Sequence, residues 1–399
     1  MAERSFGEQL TSESARWVEE GLITAEQGAA LRGRYGAPAV ARSEARSRAA
    51  SALAVIGAIA IGFGVIGFFA ANWDGMSKAL RLALLTVSVA GAYAGGLQLR
   101  ERTGRLPRVG EALYLLGVIL FGASLFLVGQ MFNVEAHDPL ALLLWAVAAV
   151  AVAVIVRSRP IAWAALLIFT GWVGFEAGTA LDDTAHDGSG LAVLAVFYGG
   201  ALYGLGTVAL ERLRQDSLAE TGFPSAARRL GLPIAAAGLF LFTFSEAADE
   251  LDGAAAAIGG LTEIGFLLVA ALALTGAAGL ALGARPAGRY EGATLALAVA
   301  VSLVAVYAGG NGDVYALVFN LVFAAVALGA IYAGYVGDEP WLVNAGVALV
   351  AIDLIARYFD VFWSALPRSV GMIGAGVLVL AIAYLLERQR KQLLARMDG

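Results

Sequence analysis

Residues 109–132 read VGEALYLLGVILFGASLFLVGQMF, and the only charged side chain among these 24 is Glu111, near the start. A helix rises about 1.5 Å per residue, so about 20 apolar residues cross the roughly 30 Å hydrocarbon core of a bilayer. This stretch is long enough, and it is not alone. The 399-residue chain is 59% hydrophobic and only 15% charged, with a mean hydropathy of +0.76. Soluble domains carry about 25% charged residues. A soluble fold with a single core is therefore excluded, and the composition predicts an all-α, polytopic transmembrane helix bundle.

Hydropathy divides the chain into about twelve apolar segments (ten to twelve spans). Six run over roughly Ala49–Ala71, Lys78–Leu99, Val109–Phe132, Pro139–Val156, Pro160–Leu181 and Gly190–Leu210. Six more cover Leu230–Ser245, Ala255–Leu282, Gly292–Ala308, Val314–Tyr335, Pro340–Ile355 and Pro367–Leu386. The seventh, ninth and eleventh are short for a full crossing.

The basic residues support this division. Arg42, Arg46 and Arg48, the arginines 100, 102, 105 and 108, Arg157 and Arg159 alternate with apolar segments on one side. Arg212, Arg214, Arg228, Arg229, Arg285 and Arg289, and the basic tail 388–399, continue on that side. The other side holds Lys78, Arg81, Arg357 and Arg368. Positive residues concentrate in cytoplasmic loops, so both termini are expected in the cytoplasm. One loop departs from the rule: Gly337-Asp338-Glu339 falls on the arginine-rich side with no basic residue of its own.

Before the first apolar segment, residues 1–48 form a polar region in which Phe6, Leu10, Trp17 and Val18 recur at helical spacing. Gly21 interrupts them, and Thr24 with Gln27 has the spacing of a capping box opening a second helix. A small cytoplasmic helical hairpin is expected here. Residues 49–387 then form the bundle, with halves 49–210 and 230–387 around the loop Glu211–Arg229, although no sequence repeat joins them. Three glycine pairs, Gly91/Gly95, Gly174/Gly178 and Gly200/Gly204, are spaced for close helix contact.

Several function classes are excluded or left without support. The absence of cysteine rules out disulfides, thiolate catalysis and cysteine metal sites. The two histidines, His137 and His186, lie in polar turns without the helical pairing of a zinc hydrolase, so no metal site and no cofactor is expected. No catalytic residue is assigned. The arginines follow topology and leave no nucleic-acid face. Met1 opens a polar stretch, so no cleavable signal peptide is expected.

Acids within apolar segments are costly and call for a reason. Most fall toward the outer side: Glu176, Glu263, Asp353 and Asp360, with the amide of Asn320. Asp353 and Arg357 are four apart on one helix face with the acid N-terminal, the favoured order for an ion pair. Glu176, Glu263, Asn320, Asp353, Arg357 and Asp360 therefore make a candidate outward-facing polar vestibule for a small polar solute or a cation. Glu111 and Glu291 lie at helix starts on the arginine-rich side, where a carboxylate suits the helix dipole. Asn72, Trp73 and Asp74 end the first apolar segment. An indole belongs at a membrane interface, and the flanking polar side chains suit the turn.

Trp17-Val18-Glu19-Glu20-Gly21-Leu22-Ile23-Thr24, with Glu26, Gln27 and Leu31, resembles the opening of a bacterial multi-pass membrane protein family of unknown function. Ala71-Asn72-Trp73-Asp74 resembles that family's motif after the first transmembrane helix, and Arg357 to Arg388 resembles its end. The resemblance implies no established activity, ligand or catalytic residue; a multi-pass location in the inner (plasma) membrane is expected. Glu101-Arg102-Thr103-Gly104-Arg105 also resembles a loop of major-facilitator transporters, with the basic run interrupted by Leu106-Pro107. The sequence thus carries two expectations. One is a transporter-like or flippase-like protein working in the lipid bilayer. The other is a non-transporting sensor or assembly module whose residues 1–48 bind a cytoplasmic protein partner.

Overall fold

The computed structural model describes residues 75–133, 139–181, 187–213, 220–251, 261–308 and 310–362, most of 10–35, and scattered positions within 53–68 and 376–380. Asn72, Trp73 and Asp74, His137, His186, most of the first and twelfth apolar segments, the basic tail and the side chain of Asp360 lie outside the described residues.

Among the described residues every regular element is helical, as expected. In chain order these are α1 (Ala25–Tyr35), α2 (Lys78–Gly96, continued by a π-helical turn Leu97–Arg102), α3 (Pro107–Met131) and α4 (Leu140–Val156). They are followed by α5 (Arg159–Leu181), α6 (Asp187–Arg212), α7 (Phe223–Leu241) and the short α8 (Ser245–Asp249). The last four are α9 (Leu261–Ala281), α10 (Gly288–Ala308), α11 (Gly312–Val336) and α12 (Pro340–Phe362). Eight of these, α2, α3, α5, α6 and α9 to α12, are long and apolar enough to cross a membrane, and α4 is a shorter apolar helix of 17 residues. The chain is a multi-pass helical membrane protein.

The helices form two compact units, Met1–Ala164 and Ala165–Gly399. In the first, the expected capping box opens α1: the Thr24 amide donates to Gln27 Oε1 at 2.9 Å and the Gln27 amide donates to Thr24 Oγ1 at 3.2 Å. Pro107 starts α3, where its missing N–H has no helical partner to lose. α3 packs between α2 and α4. The Trp145 indole of α4 donates to the Val118 carbonyl of α3 at 2.8 Å. Gly122 makes room for that ring: a methyl there would lie 2.6 Å from Trp145 Cζ2. At the arginine-rich end, Ser158 Oγ donates to Glu111 Oε1 at 2.6 Å, so Glu111 has a partner beyond the helix dipole.

In the second unit α6 is the central helix, with 72% of its membrane window buried. It packs most extensively against α7 and α9, and also against α10. The contact with α7 is backbone to backbone: a methyl on Gly199 would lie 2.6 Å from the Gly231 carbonyl oxygen. Of the three glycine pairs singled out by spacing, Gly200/Gly204 is in such a contact, against Leu295 of α10 and Gly276 of α9. Gly91, Gly174 and Gly178 meet no neighbour among the described residues. Phe197, Phe242, Phe319 and Phe323 fill the core between these helices.

α7 departs from its expected bounds. It starts at Phe223 rather than near Leu230, and so carries Arg228 and Arg229 inside the helix. Pro224 suits its first turn, and Pro233 interrupts its hydrogen-bond ladder further on. A helix can carry Arg228 into the bundle only if the charge is met there.

Replacing Gly199 by Val should lower the thermal unfolding midpoint of detergent-solubilised protein, through a loss of about 1–3 kcal/mol typical of overpacking. Gly174→Val should leave the midpoint unchanged. Equal midpoints for Gly199→Val and wild type would show that α6 and α7 tolerate separation.

Candidate functional site

Arg228 is met. Its side chain is 5% exposed, and its Nη2 donates to Glu291 Oε1 of α10 at 3.2 Å. Its Nη1 lies 2.5 Å from Glu339 Oε2 in the α11–α12 turn. The guanidinium also lies between two aromatic rings, 5.6 Å from the centroid of Tyr203 and 5.1 Å from that of Trp341. Arg285, in the α9–α10 turn, extends the network. It reaches Glu291 Oε2 at 3.1 Å, Glu339 Oε1 at 2.9 Å and Glu211 Oε1 at 3.3 Å. Tyr203 of α6 donates its hydroxyl to Glu291 Oε1 at 2.5 Å.

Glu291 is the centre, with a side chain only 3% exposed. Burying one carboxylate in an apolar bundle costs several kcal/mol unless donors surround it, and here three do. Arg285 also stays charged. Burial alone would lower its proton affinity, but the carboxylates of Glu291 and Glu339 outweigh burial and the net shift is upward. The network joins α6, α7, α10 and both neighbouring turns at the arginine-rich end of the second unit. It also resolves the loop that broke the charge rule: Glu339 takes its positive partners from Arg228 and Arg285, far away in sequence.

A narrow cleft with about 40 Å³ of internal room rises from this network between α6, α7, α10 and α11. Its walls are apolar, among them Val196, Leu232, Leu239 and Val326. Its polar lining is Tyr203, Glu291 and Thr294. Glu291 therefore belongs both to the ion network and to the cleft. Small residues Gly200, Ala235, Gly329 and Ala330 hold the space open.

Part of the candidate vestibule meets at the opposite end of α7. Arg357 donates to the Thr243 hydroxyl at 2.7 Å and to the Thr243 carbonyl at 3.2 Å. Asn320 donates to the same carbonyl at 2.8 Å. Asp353 lies 3.6 Å from Arg357 Nε, the expected i, i+4 pair, and the Arg357 guanidinium lies 4.3 Å from the centre of the Phe244 ring. Thus Asn320, Asp353 and Arg357 converge. Glu263 lies elsewhere and accepts from the Tyr307 hydroxyl at 3.1 Å. Glu176 is exposed on α5.

Residues 15–162 match the family described as "Predicted membrane protein (DUF2157)". The DUF2157 match falls within the first compact unit, and both the ion network and the cleft lie outside it. No curated protein and no solved structure shows a match to the chain.

Sequence reasoning had named Arg228, Arg285, Glu211 and Glu291 for topology or dipole reasons and had not joined them. The available signal was Glu339, an acid in a loop that the charge rule required to be basic.

Removing Arg228 leaves Glu291 and Glu339 short of a donor in a buried site. Arg228→Ala should cost about 3–5 kcal/mol, the usual penalty for breaking a buried pair. Arg229→Ala, at an exposed position, should cost less than about 1 kcal/mol. Thermal unfolding of the two purified variants reads the difference directly.

Proposed function

We propose that the protein is a membrane carrier, transporter-like or flippase-like, that handles an amphiphile through the cleft of its second unit. The observation that carries this reading is the cleft itself, which combines apolar walls with a Tyr203–Glu291 polar floor. A small polar solute would leave those walls unmatched. An acyl chain or similar apolar body satisfies them, while a hydrogen-bonding head reaches Tyr203, Glu291 and Thr294.

In this reading the arginine-rich end faces the cytoplasm, as the charge bias predicts, and the membrane is the inner membrane of the cell. The ion network then closes the cleft toward the cytoplasm. Thr243, Asn320, Asp353 and Arg357 supply polar contacts toward the outside, where a head group or a cation would first be met. Residues 1–48 offer the surface for a cytoplasmic protein partner in the alternative reading, a sensor or assembly module. Deleting them separates the two readings, because a carrier keeps its flux without them.

The test is exchange of a fluorescently labelled phospholipid between the leaflets of proteoliposomes. Wild-type protein should accelerate exchange over protein-free vesicles. Gly329→Phe should fill the cleft, because the space beside Gly329 is bounded by Thr294, which also lines it, with Cγ2 at 3.4 Å from an added methyl. That variant should cut the rate about tenfold or more, a barrier increase of roughly 1.4 kcal/mol, while melting like wild type. Exchange by wild type no faster than in empty vesicles overturns the reading.

A further inference from the structure

The ion network does not balance. Among the described residues three carboxylates, those of Glu211, Glu291 and Glu339, face two guanidiniums, those of Arg228 and Arg285. The other described charges nearby, Arg212 on α6, Arg229 on α7, Arg289 on α10 and Asp338 before α12, are exposed and screened by solvent, and burial of the Glu211 carboxyl outweighs the opposing pull of Arg212. The remaining side chains against the cluster, Tyr203 and Trp341, are neutral. One negative charge is left over in a site of low polarity, where a carboxylate without full compensation takes up a proton.

The geometry says which carboxylate is least compensated. Both oxygens of Glu291 and both of Glu339 lie within 3.2 Å of a guanidinium nitrogen. Glu211 has a single guanidinium contact, at 3.3 Å, to the Nε that already donates to Glu291 Oε2. Its Oε1 is buried and makes no hydrogen bond among the described residues; Glu339 Oε2 makes none either, but it lies 2.5 Å from Arg228 Nη1, whereas Glu211 Oε1 comes no nearer than 3.3 Å to a guanidinium nitrogen.

We infer that the network is a proton-binding site, with one exchangeable proton carried by the carboxyl of Glu211. The reaction is simple addition: the carboxylate takes H⁺ and becomes a carboxylic acid, and the cluster becomes neutral. A proton suits the site better than a metal ion, which needs several oxygens arranged around an open point. Here the oxygens of Glu291 and Glu339 are directed at guanidinium nitrogens. Glu211 is also placed to exchange, since its side chain is 23% exposed, at the end of α6, whereas Glu291 is 3% exposed. The inference does not depend on an amphiphile entering the cleft.

Infrared spectroscopy of the full chain in lipid nanodiscs tests it. At neutral pH the wild type should show a protonated-carboxyl band that Glu211→Gln removes, because the substitution leaves two carboxylates against two guanidiniums. Glu263→Gln, outside the network, should keep the band. If Glu211→Gln does not purify, Glu211→Asp serves instead, since its carboxyl should keep the band at a shifted frequency. Superimposable spectra of wild type and the Glu211 variant in the protonated-carboxyl region overturn the inference. So does a wild-type band that appears or vanishes with sodium or potassium at constant pH, which would assign the counter-charge to a metal cation.

Discussion

Placing Arg228 inside the helix bundle is the constraint from which the second unit's arginine-rich end follows. A guanidinium with 5% exposure needs carboxylates, planar neighbours and a fixed position. Glu291 and Glu339 supply the first, and Tyr203 and Trp341 the second. The close approach of α6 and α7 at Gly199 and Gly231 helps to supply the third. None of these residues is near Arg228 in sequence except Gly231. The bundle is therefore held at this end by electrostatics across helices and along its length by glycine contacts and aromatic packing.

That division of labour has a chemical counterpart. Glu291 faces Arg228 and Arg285 on one side and lines the cleft on the other. Any group that reached the Tyr203–Glu291 pair from the cleft would compete with a hydrogen bond inside the ion network. A group bound there would bear on the network directly through one carboxylate, with no need for a longer path.

The class of fold was legible because bilayer physics writes it in long apolar runs, such as residues 109–132. Local features were legible too. The Thr24–Gln27 capping box and the Asp353–Arg357 pair are contacts between residues three and four apart, which sequence spacing specifies. The network was not legible, because its partners are separated by 63 residues between Arg228 and Glu291 and by 54 between Arg285 and Glu339. Spacing carries no information about such pairs. The positive-inside rule also supplies a sufficient reason for Arg228 and Arg285, which hides the structural one. The start of α7 differs from expectation for a related reason: arginines mark the edge of a span by the charge rule, whereas Arg228 is buried inside the helix.

Distance along the chain also has a consequence for biosynthesis. α7 is made with Arg228 and Arg229 in its first turns and is not among the helices apolar enough to cross on their own. Its principal partner, Glu291, follows 63 residues later. At roughly 5–20 residues per second of synthesis, that is a wait of about 3–13 seconds. During it, Arg228 has no carboxylate from α10 to neutralise it. The second unit therefore completes its assembly only after α10 and the α11–α12 turn have been delivered, so a ribosome that stops before Glu339 leaves a half-compensated arginine in the bilayer.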